Sequence, residues 1–282
     1  MGKINILEYS ISSKIAAGEV IERPVSVIKE LVENSLDAGS KNITVEIEKG
    51  GKKTIKVIDD GEGIARNDLS AAFLRHATSK INELDDIFDI KTLGFRGEAL
   101  ASIAAVSKVK VISKTKNEEI GTSLIVNGGN FEEPLDASAN NGFVIEIKDL
   151  FFNTPARLKF LSSDTQEASK ITDLITRFAM GNINTSFRLI NDGKEIFYTS
   201  GNGDYREAIA MVYGVDVAKN MVYIEKDFSQ GKIWGYIALP EHSRGNRKGQ
   251  TFFVNNRYII DQGMTFALER AYKSLLPISR FP

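Results

Sequence analysis

Glu30, Glu33, Asn34 and Asp37 recur at three- and four-residue spacing within residues 23–39, RPVSVIKELVENSLDAG. A helix turns by about 100° per residue, so this spacing gathers three carboxylates and one amide into an arc of roughly 100°. A carboxylate can take a proton from water, and an amide oxygen can hold Mg²⁺, an ion that accepts few protein ligands and keeps phosphate oxygens and waters. Taken alone, such a face is more commonly a solvated acidic surface. A solvated face usually carries lysines as well, and only Lys29 lies nearby.

The elements that must position these groups are legible around them. Pro24 suits the first helical position, where no amide hydrogen is needed, and Gly39 suits a left-handed C-terminal cap. Val27, Ile28, Leu31 and Ser35 form the inward stripe of the same helix. Residues 42–48 and 53–59 alternate apolar and polar around Gly50-Gly51 and predict an antiparallel hairpin. That hairpin ends on Asp59, followed by Asp60-Gly61-Glu62-Gly63. A carboxylate there can accept hydrogen bonds from an amino group on a flat ring, and Gly61 and Gly63 let backbone approach such a ring closely. A turn between strand and helix accounts for the same glycines. Further on, Gly94-Phe95-Arg96-Gly97-Glu98 leads into a helix at 98–105. Free amides and a positive dipole end before a helix suit phosphate. Residues 76–97 lack a steady period and predict a long functional loop with a short helix near 84–88.

Elsewhere the pattern predicts helices at 12–18, 66–75 (Leu69, Ala72 and Phe73 inward), 165–180, 205–213 and 264–276, and a helical segment opened by Asn153-Thr154-Pro155. Strands are expected at 108–114, 122–126, 143–148, 222–228, 232–239 and 251–260, with a hairpin over 186–199 turning at Asn191-Asp192-Gly193. Residues 201–204 read as a linker, which predicts domains at 1–200 and 201–282.

Composition excludes several chemistries. The 282 residues are 42% hydrophobic and carry a net charge of −1, so a nucleic-acid surface must be a local patch. There is no cysteine, and His76 and His242 are the only histidines, which argues against thiolate or histidine-rich metal sites and a Ser-His-Asp triad. GxxxxGK[ST] and HExxH are absent, and Arg66 stands where a dinucleotide fingerprint needs its third glycine. No signal-peptide core or membrane-length apolar run occurs, so the expected setting is cytoplasmic. Arg244, Arg247, Lys248 and Arg257 lie in or beside one loop and strand. They read either as an ordinary solvated loop or as a sequence-independent contact to a nucleic-acid backbone.

Taken together, Glu30-x-x-x-Asn34, Asp59-x-Gly61-x-Gly63 and the later glycine loop resemble the GHKL ATPases with their Bergerat fold. More narrowly, IAAGEVIERP (15–24), KELVENSLDAG (29–39), RHATSK (75–80), GFRGEAL (94–100) and LFFNTPAR (150–157) resemble the N-terminal half of the MutL mismatch-repair family. YREAIAMVYG and FFVNNRYI resemble its second domain. The resemblance implies an α+β chain: an α/β sandwich that binds ATP and Mg²⁺, then a domain like ribosomal protein S5. It implies that Glu30 activates water, Asn34 holds Mg²⁺ and Asp59 binds the adenine amino group. Thr78, Ser79, Lys80, Gly94, Phe95, Arg96 and Gly97 would form the lid and phosphate cradle. Glu33 is a competing base by chemistry alone, Arg96 serves equally as a lid ion pair, and Asp37 is read as support for the helix end. The resemblance also implies sequence-independent DNA binding, dimerisation driven by ATP, mismatch-recognition and downstream repair partners, and association with the nucleoid. A type II topoisomerase ATPase subunit would share the nucleotide fold but not the pairing of GFRGEAL with NTPAR. A DNA-binding scaffold with negligible turnover is the third reading.

Two departures from the family shape the expectations. Phe143 follows Gly142 where the family usually has a threonine that helps the adenine site. The chain ends at Phe281-Pro282, before the strand, the nucleotide-reaching lysine and the dimerisation domain that the family carries. The second domain is therefore expected to be incomplete, and the chain mainly monomeric and weakly hydrolytic.

Overall fold

The computed structural model describes residues 17–18, 20–80, 92–94 and 97–282, and forms two compact units: Met1–Ile175 with Thr185–Ser200, and Thr176–Asn184 with Gly201–Pro282. The expected helices at 12–18 (apart from its last two residues) and 84–88, together with Phe95 and Arg96, lie outside the described residues.

The first unit is built on one nine-stranded sheet. Its strands are β1 (Asn42–Glu48), β2 (Thr54–Asp59), β3 (Lys108–Lys114), β4 (Gly121–Asn127), β5 (Asn130–Phe131), β6 (Leu135–Ala137), β7 (Gly142–Lys148), β8 (Ser186–Asn191) and β9 (Lys194–Thr199). The order is β5-β4-β3-β7-β2-β1-β8-β9, with β6 pairing β4. Neighbours are antiparallel except β1 and β8, which run parallel. The period-two alternation sends Ile43, Val45, Ile47, Ile55, Val57, Val109, Val111, Ile145 and Ile147 to one buried face. On the other face Lys56 stands opposite Glu46 and Glu146, and Glu146 opposite Lys110, so unlike charges face each other across the strands. The turn at Asp192 (φ 48°) and Gly193 (φ 78°) closes the β8–β9 hairpin as its sequence predicts.

Helices α1 (Pro24–Asp37), the short α2 (Arg66–Leu69) and α3 (Ala99–Ala105) pack on the sheet, and α4 (Pro155–Phe160) and α5 (Asp164–Gly181) follow β7 in the chain. Helix α1 starts at its proline and ends with Ala38 N–H bonded to the Asn34 carbonyl and Gly39 at φ 73°. It buries Val27, Ile28, Leu31, Val32 and Ser35 and packs on β1, β2 and α3. Burying each large aliphatic side chain contributes about 1.5–3 kcal/mol, so the apolar stripe fixes the helix and thereby its opposite, carboxylate face. The helix expected over 66–75 stops at Leu69 and gives way to a 3₁₀ turn, Ala71–Phe73. Leu69 and Phe73 still reach the core, whereas Ala72 stays half-buried.

The second unit holds α6 (Tyr205–Tyr213), α7 (Val215–Lys219), the antiparallel pair β10 (Met221–Phe228) and β11 (Gly231–Ala238), the pair β12 (Phe252–Val254) and β13 (Arg257–Ile259), and α8 (Gln262–Tyr272). Residues 251–260 are thus a hairpin and not the single strand expected. Asn255 (φ 49°) and Asn256 (φ 64°) adopt the left-handed pair of a type I′ turn, which asparagine tolerates. The end of α5 belongs to this unit, where Arg177 lies over the Tyr258 ring at 4.4 Å.

Candidate active site

The end of β2 carries a buried, hydrogen-bonded carboxylate. Asp59 is buried; Ser35 Oγ donates to its Oδ2 at 2.6 Å and the Gly61 amide donates to its Oδ1 at 2.9 Å. Burial pushes the Asp59 carboxyl above its ordinary range, and the bonds from Ser35 and Gly61 offset this only in part. Asp60 turns the other way and accepts from the Lys41 and Asn42 amides at 2.7 and 2.9 Å, tying the turn after β2 to the start of β1. The Gly63 backbone (φ 71°) passes so close to Lys114 that an added Cβ would lie 2.5 Å from its carbonyl oxygen. At Gly61 an added Cβ would meet Ser40 Oγ at 2.6 Å, so the turn itself demands both glycines. Across the sheet Phe143 is the register partner of Asp59 in β2 and of Ser113 in β3. In a paired ladder that puts the half-buried Phe143 side chain on the Asp59 face, where position 143 contributes a ring and not a hydroxyl.

The carboxylate face of α1 carries the other groups. Lys29 Nζ bridges Glu30 Oε1 at 3.2 Å and Glu33 Oε2 at 3.1 Å. Burial disfavours the Lys29 charge, but the two carboxylates outweigh it and raise its pKa. Burial pushes Glu33 up despite Lys29. Next along the face, Asn34 Oδ1 accepts from Lys80 Nζ at 2.8 Å, and the same ammonium contacts Asp37 Oδ2 at 2.6 Å. The Asp37 oxygens also accept the Leu93 and Gly94 amides at 2.8 and 3.1 Å. Gly97 (φ 62°) lies against the Ala77 backbone, and His76 Nδ1 is 3.4 Å from Glu98 Oε1. Residues 76–80 therefore meet residues 92–94 and 97–98, and Lys80 and Gly94 come together beside Asn34. Thr78 and Ser79 are exposed there, and Thr78 Oγ1 accepts the Lys80 amide at 3.1 Å.

Spacing alone does not show several of these partners. Ser35 falls by spacing in the apolar stripe, where a lone hydroxyl signals a buried polar partner. Asp37 does not support its helix: an anion in the last turn opposes the helix dipole. It serves Lys80 and two backbone amides instead. Among the described residues no group of three or more His, Asp or Glu is arranged to hold a metal. A metal held through Asn34 would therefore have to take its remaining ligands from a bound phosphate and water.

Comparison with known proteins gives this arrangement its family. Residues 22–135 match the family described as histidine kinase-, DNA gyrase B- and HSP90-like ATPase, and residues 209–282 match the C-terminal domain of DNA mismatch repair proteins. The DNA mismatch repair protein MutL of Clostridium botulinum (strain Eklund 17B / Type B) is 49% identical over all 282 residues. The chain belongs to the MutL family. It spans 42% of the length of that relative and 46% of the MutL of Clostridium tetani, to which it is 50% identical. The Aquifex aeolicus MutL ATPase domain complexed with ADP superposes with a TM-score of 0.70 at 29% identity, over 89% of this chain and 88% of that one. The sandwich around α1 and Asp59 is accordingly a GHKL ATPase fold, and MutL relatives rather than topoisomerase subunits account for the second unit.

The basic residues of the second unit are not uniform. Arg247 is engaged by both Glu269 oxygens and lies over the Phe281 ring at 4.6 Å. Arg244 lies over the Tyr213 ring at 5.4 Å, while Lys248 and Arg257 are exposed. No helix among the described residues is long and apolar enough to cross a membrane.

Proposed function

We propose that this chain binds ATP with Mg²⁺ and hydrolyses it, and that the nucleotide state governs dimerisation and engagement of mismatch-recognition and downstream repair proteins on DNA in the nucleoid. The observation that carries this reading is the meeting of Asn34, Lys80 and the Leu93–Gly94 amides on the carboxylate face of α1, beside the Asp59 turn. Asp59 would receive the adenine amino group, with Gly61 and Gly63 shaping the turn. Thr78, Ser79, Lys80 and the glycine loop from Gly94 through Phe95 and Arg96 to Gly97 would receive the phosphates. Asn34 fits Mg²⁺ as a single amide ligand, with Lys80 moving from its Oδ1 to a phosphate. Mg²⁺, when bound, would neutralise charge on the phosphate oxygens. Glu30 would take a proton from the attacking water while that water's oxygen bonds to the γ-phosphorus and ADP leaves with the electrons of the broken P–O bond. Slow turnover by residues 1–282 alone and a requirement for Mg²⁺ belong to the same proposal.

Glu30 and Glu33 compete for the base, because both hold Lys29 and burial raises Glu33. Family position favours Glu30. Glu30→Ala should leave ATP affinity largely intact and slow single-turnover hydrolysis by about 10²–10⁴-fold. Glu33→Gln should slow it far less. Measured phosphate release with the opposite ranking would move the base to Glu33, and unchanged release in both variants would reject hydrolysis at this face.

A further inference from the structure

Asp37 has no part in the chemistry proposed above, yet it is the most heavily engaged carboxylate on α1. Its side chain is only 8% exposed, and it accepts from Lys80 Nζ, Leu93 N and Gly94 N at 2.6, 2.8 and 3.1 Å. These donors come from two separate stretches of chain, at Lys80 and at Leu93–Gly94. One turn earlier on the same helix face, Asn34 Oδ1 holds the same Lys80 ammonium at 2.8 Å. An added Cβ on Gly94 would lie 3.8 Å from Asn34 Oδ1 and 3.5 Å from Lys80 Nζ, so the loop backbone is drawn up against both. A nearly buried carboxylate at the dipole-negative end of a helix is unfavourable unless other groups compensate it. Here an ammonium and two amides do so, and the price of that compensation is that their positions are fixed by Asp37.

We propose that Asp37 is the positioning residue of the phosphate end of the site: its carboxylate holds Lys80 and the Leu93–Gly94 backbone beside Asn34, and so sets affinity for the triphosphate but not for the base. The proposal rests on the ATP-binding reading. The base end is built separately, from Ser35, Asp59 and the Gly61 amide, and shares no hydrogen bond with Asp37. Loss of the Asp37 charge therefore releases the phosphate donors and leaves the adenine donors and acceptors in place.

The test separates the two ends of one ligand. ATP–Mg²⁺ affinity is measured by calorimetry and adenosine affinity by saturation-transfer NMR, on the wild-type chain, Asp37→Asn and Asp37→Glu, with thermal melts beside them. Asp37→Asn is expected to lose about tenfold or more in ATP affinity, the loss of one charge-assisted cluster, while adenosine affinity stays within about twofold. Asp37→Glu keeps the charge and should bind ATP more tightly than Asp37→Asn; should the asparagine variant not fold, the glutamate variant carries the comparison, with an intermediate ATP loss and unchanged adenosine binding. Equal losses for both ligands would mark a merely structural residue and overturn the proposal, as would ATP affinity equal to wild type. A wild-type chain that binds neither ligand would instead reject the nucleotide reading itself.

Discussion

The two ends of the candidate site are built by different means. At the base end, Asp59 sits in a sheet strand, and its partners come from the neighbouring helix and from the turn two residues on. At the phosphate end, the contacts run between a helix face and two chain segments, through a lysine side chain and backbone amides. A buried strand terminus is over-determined by its ladder, so the base end keeps its shape without ligand. The phosphate end depends on a few charge-assisted bonds from Asp37, and a ligand need exchange only the Lys80–Asn34 contact for its own. The rigid end should therefore respond to substitution in stability as well as affinity, and the other mainly in affinity.

The largest effect expected at the rigid end comes from Gly142. It has φ 124°, and an added Cβ would lie 2.1 Å from the Asp59 carbonyl oxygen. Gly142→Ala strains its own backbone by about 1–3 kcal/mol and must also displace the end of β2. Urea unfolding should show a loss at least that large together with weakened nucleotide binding. A variant as stable as wild type would mean that the base end is softer than its ladder implies.

Asp59→Asn should be next, and should move stability and affinity in opposite directions. The folded-state pKa of Asp59 is raised by burial above the ordinary 3.8. An acid with a raised folded pKa favours folding below its unfolded pKa, and that contribution is lost as pH rises through the folded value. The ionised side chain therefore costs stability at neutral pH, and Asp59→Asn should melt at a temperature equal to or above wild type there. The difference should vanish on acidification through the raised pKa. ATP affinity should fall in the variant by roughly ten- to a hundredfold, the scale of a lost hydrogen bond to a charged group. Wild-type affinity should itself decline with acid at a pH above the ordinary carboxylate value. Tight ATP binding by Asp59→Asn would remove Asp59 from base recognition.

These contrasts mark how far the sequence could be read. Local patterns carried the fold: period-two runs gave β1, β2, β3 and β7 within a residue of their ends, and Pro24 and Gly39 bracketed α1. They failed where geometry depends on a turn inside a run, as at Asn255-Asn256, where two polar residues split an apolar stretch that otherwise reads as one strand. In the site, residues defined by spacing along one helix were visible, because helical geometry alone puts Glu30, Asn34 and Asp37 on one face. What Asp37 and Ser35 touch was not visible, because Lys80, Leu93 and Asp59 reach them only through the tertiary fold. Register likewise decided what stands beside Asp59, and it brought Phe143 there.

The smallest effect is expected in the second unit, where the structure divides residues that sequence treats alike. Arg244, Arg247, Lys248 and Arg257 form one basic group by position, yet Arg247 is held by both oxygens of Glu269. The Glu269 carboxyl is drawn below its usual range chiefly by its hydrogen bond with Arg247. If this surface meets a DNA backbone, Arg247 must leave Glu269 to contact a phosphate, and an exposed ion pair of this kind offers little resistance. Glu269→Gln removes the competitor and one negative charge. It should strengthen duplex binding only about two- to fivefold at moderate salt, the scale of a surface pair. Its clearer sign is the salt dependence: one phosphate contact added by Arg247 would steepen the log–log slope by about 0.9. Glu269 lies on α8, in the second unit, so nucleotide affinity at the first unit's site should not change. An unchanged slope would leave Arg247 outside the DNA surface and reduce the basic group to Arg244, Lys248 and Arg257, whose own charge reversals would then be read against the same slope.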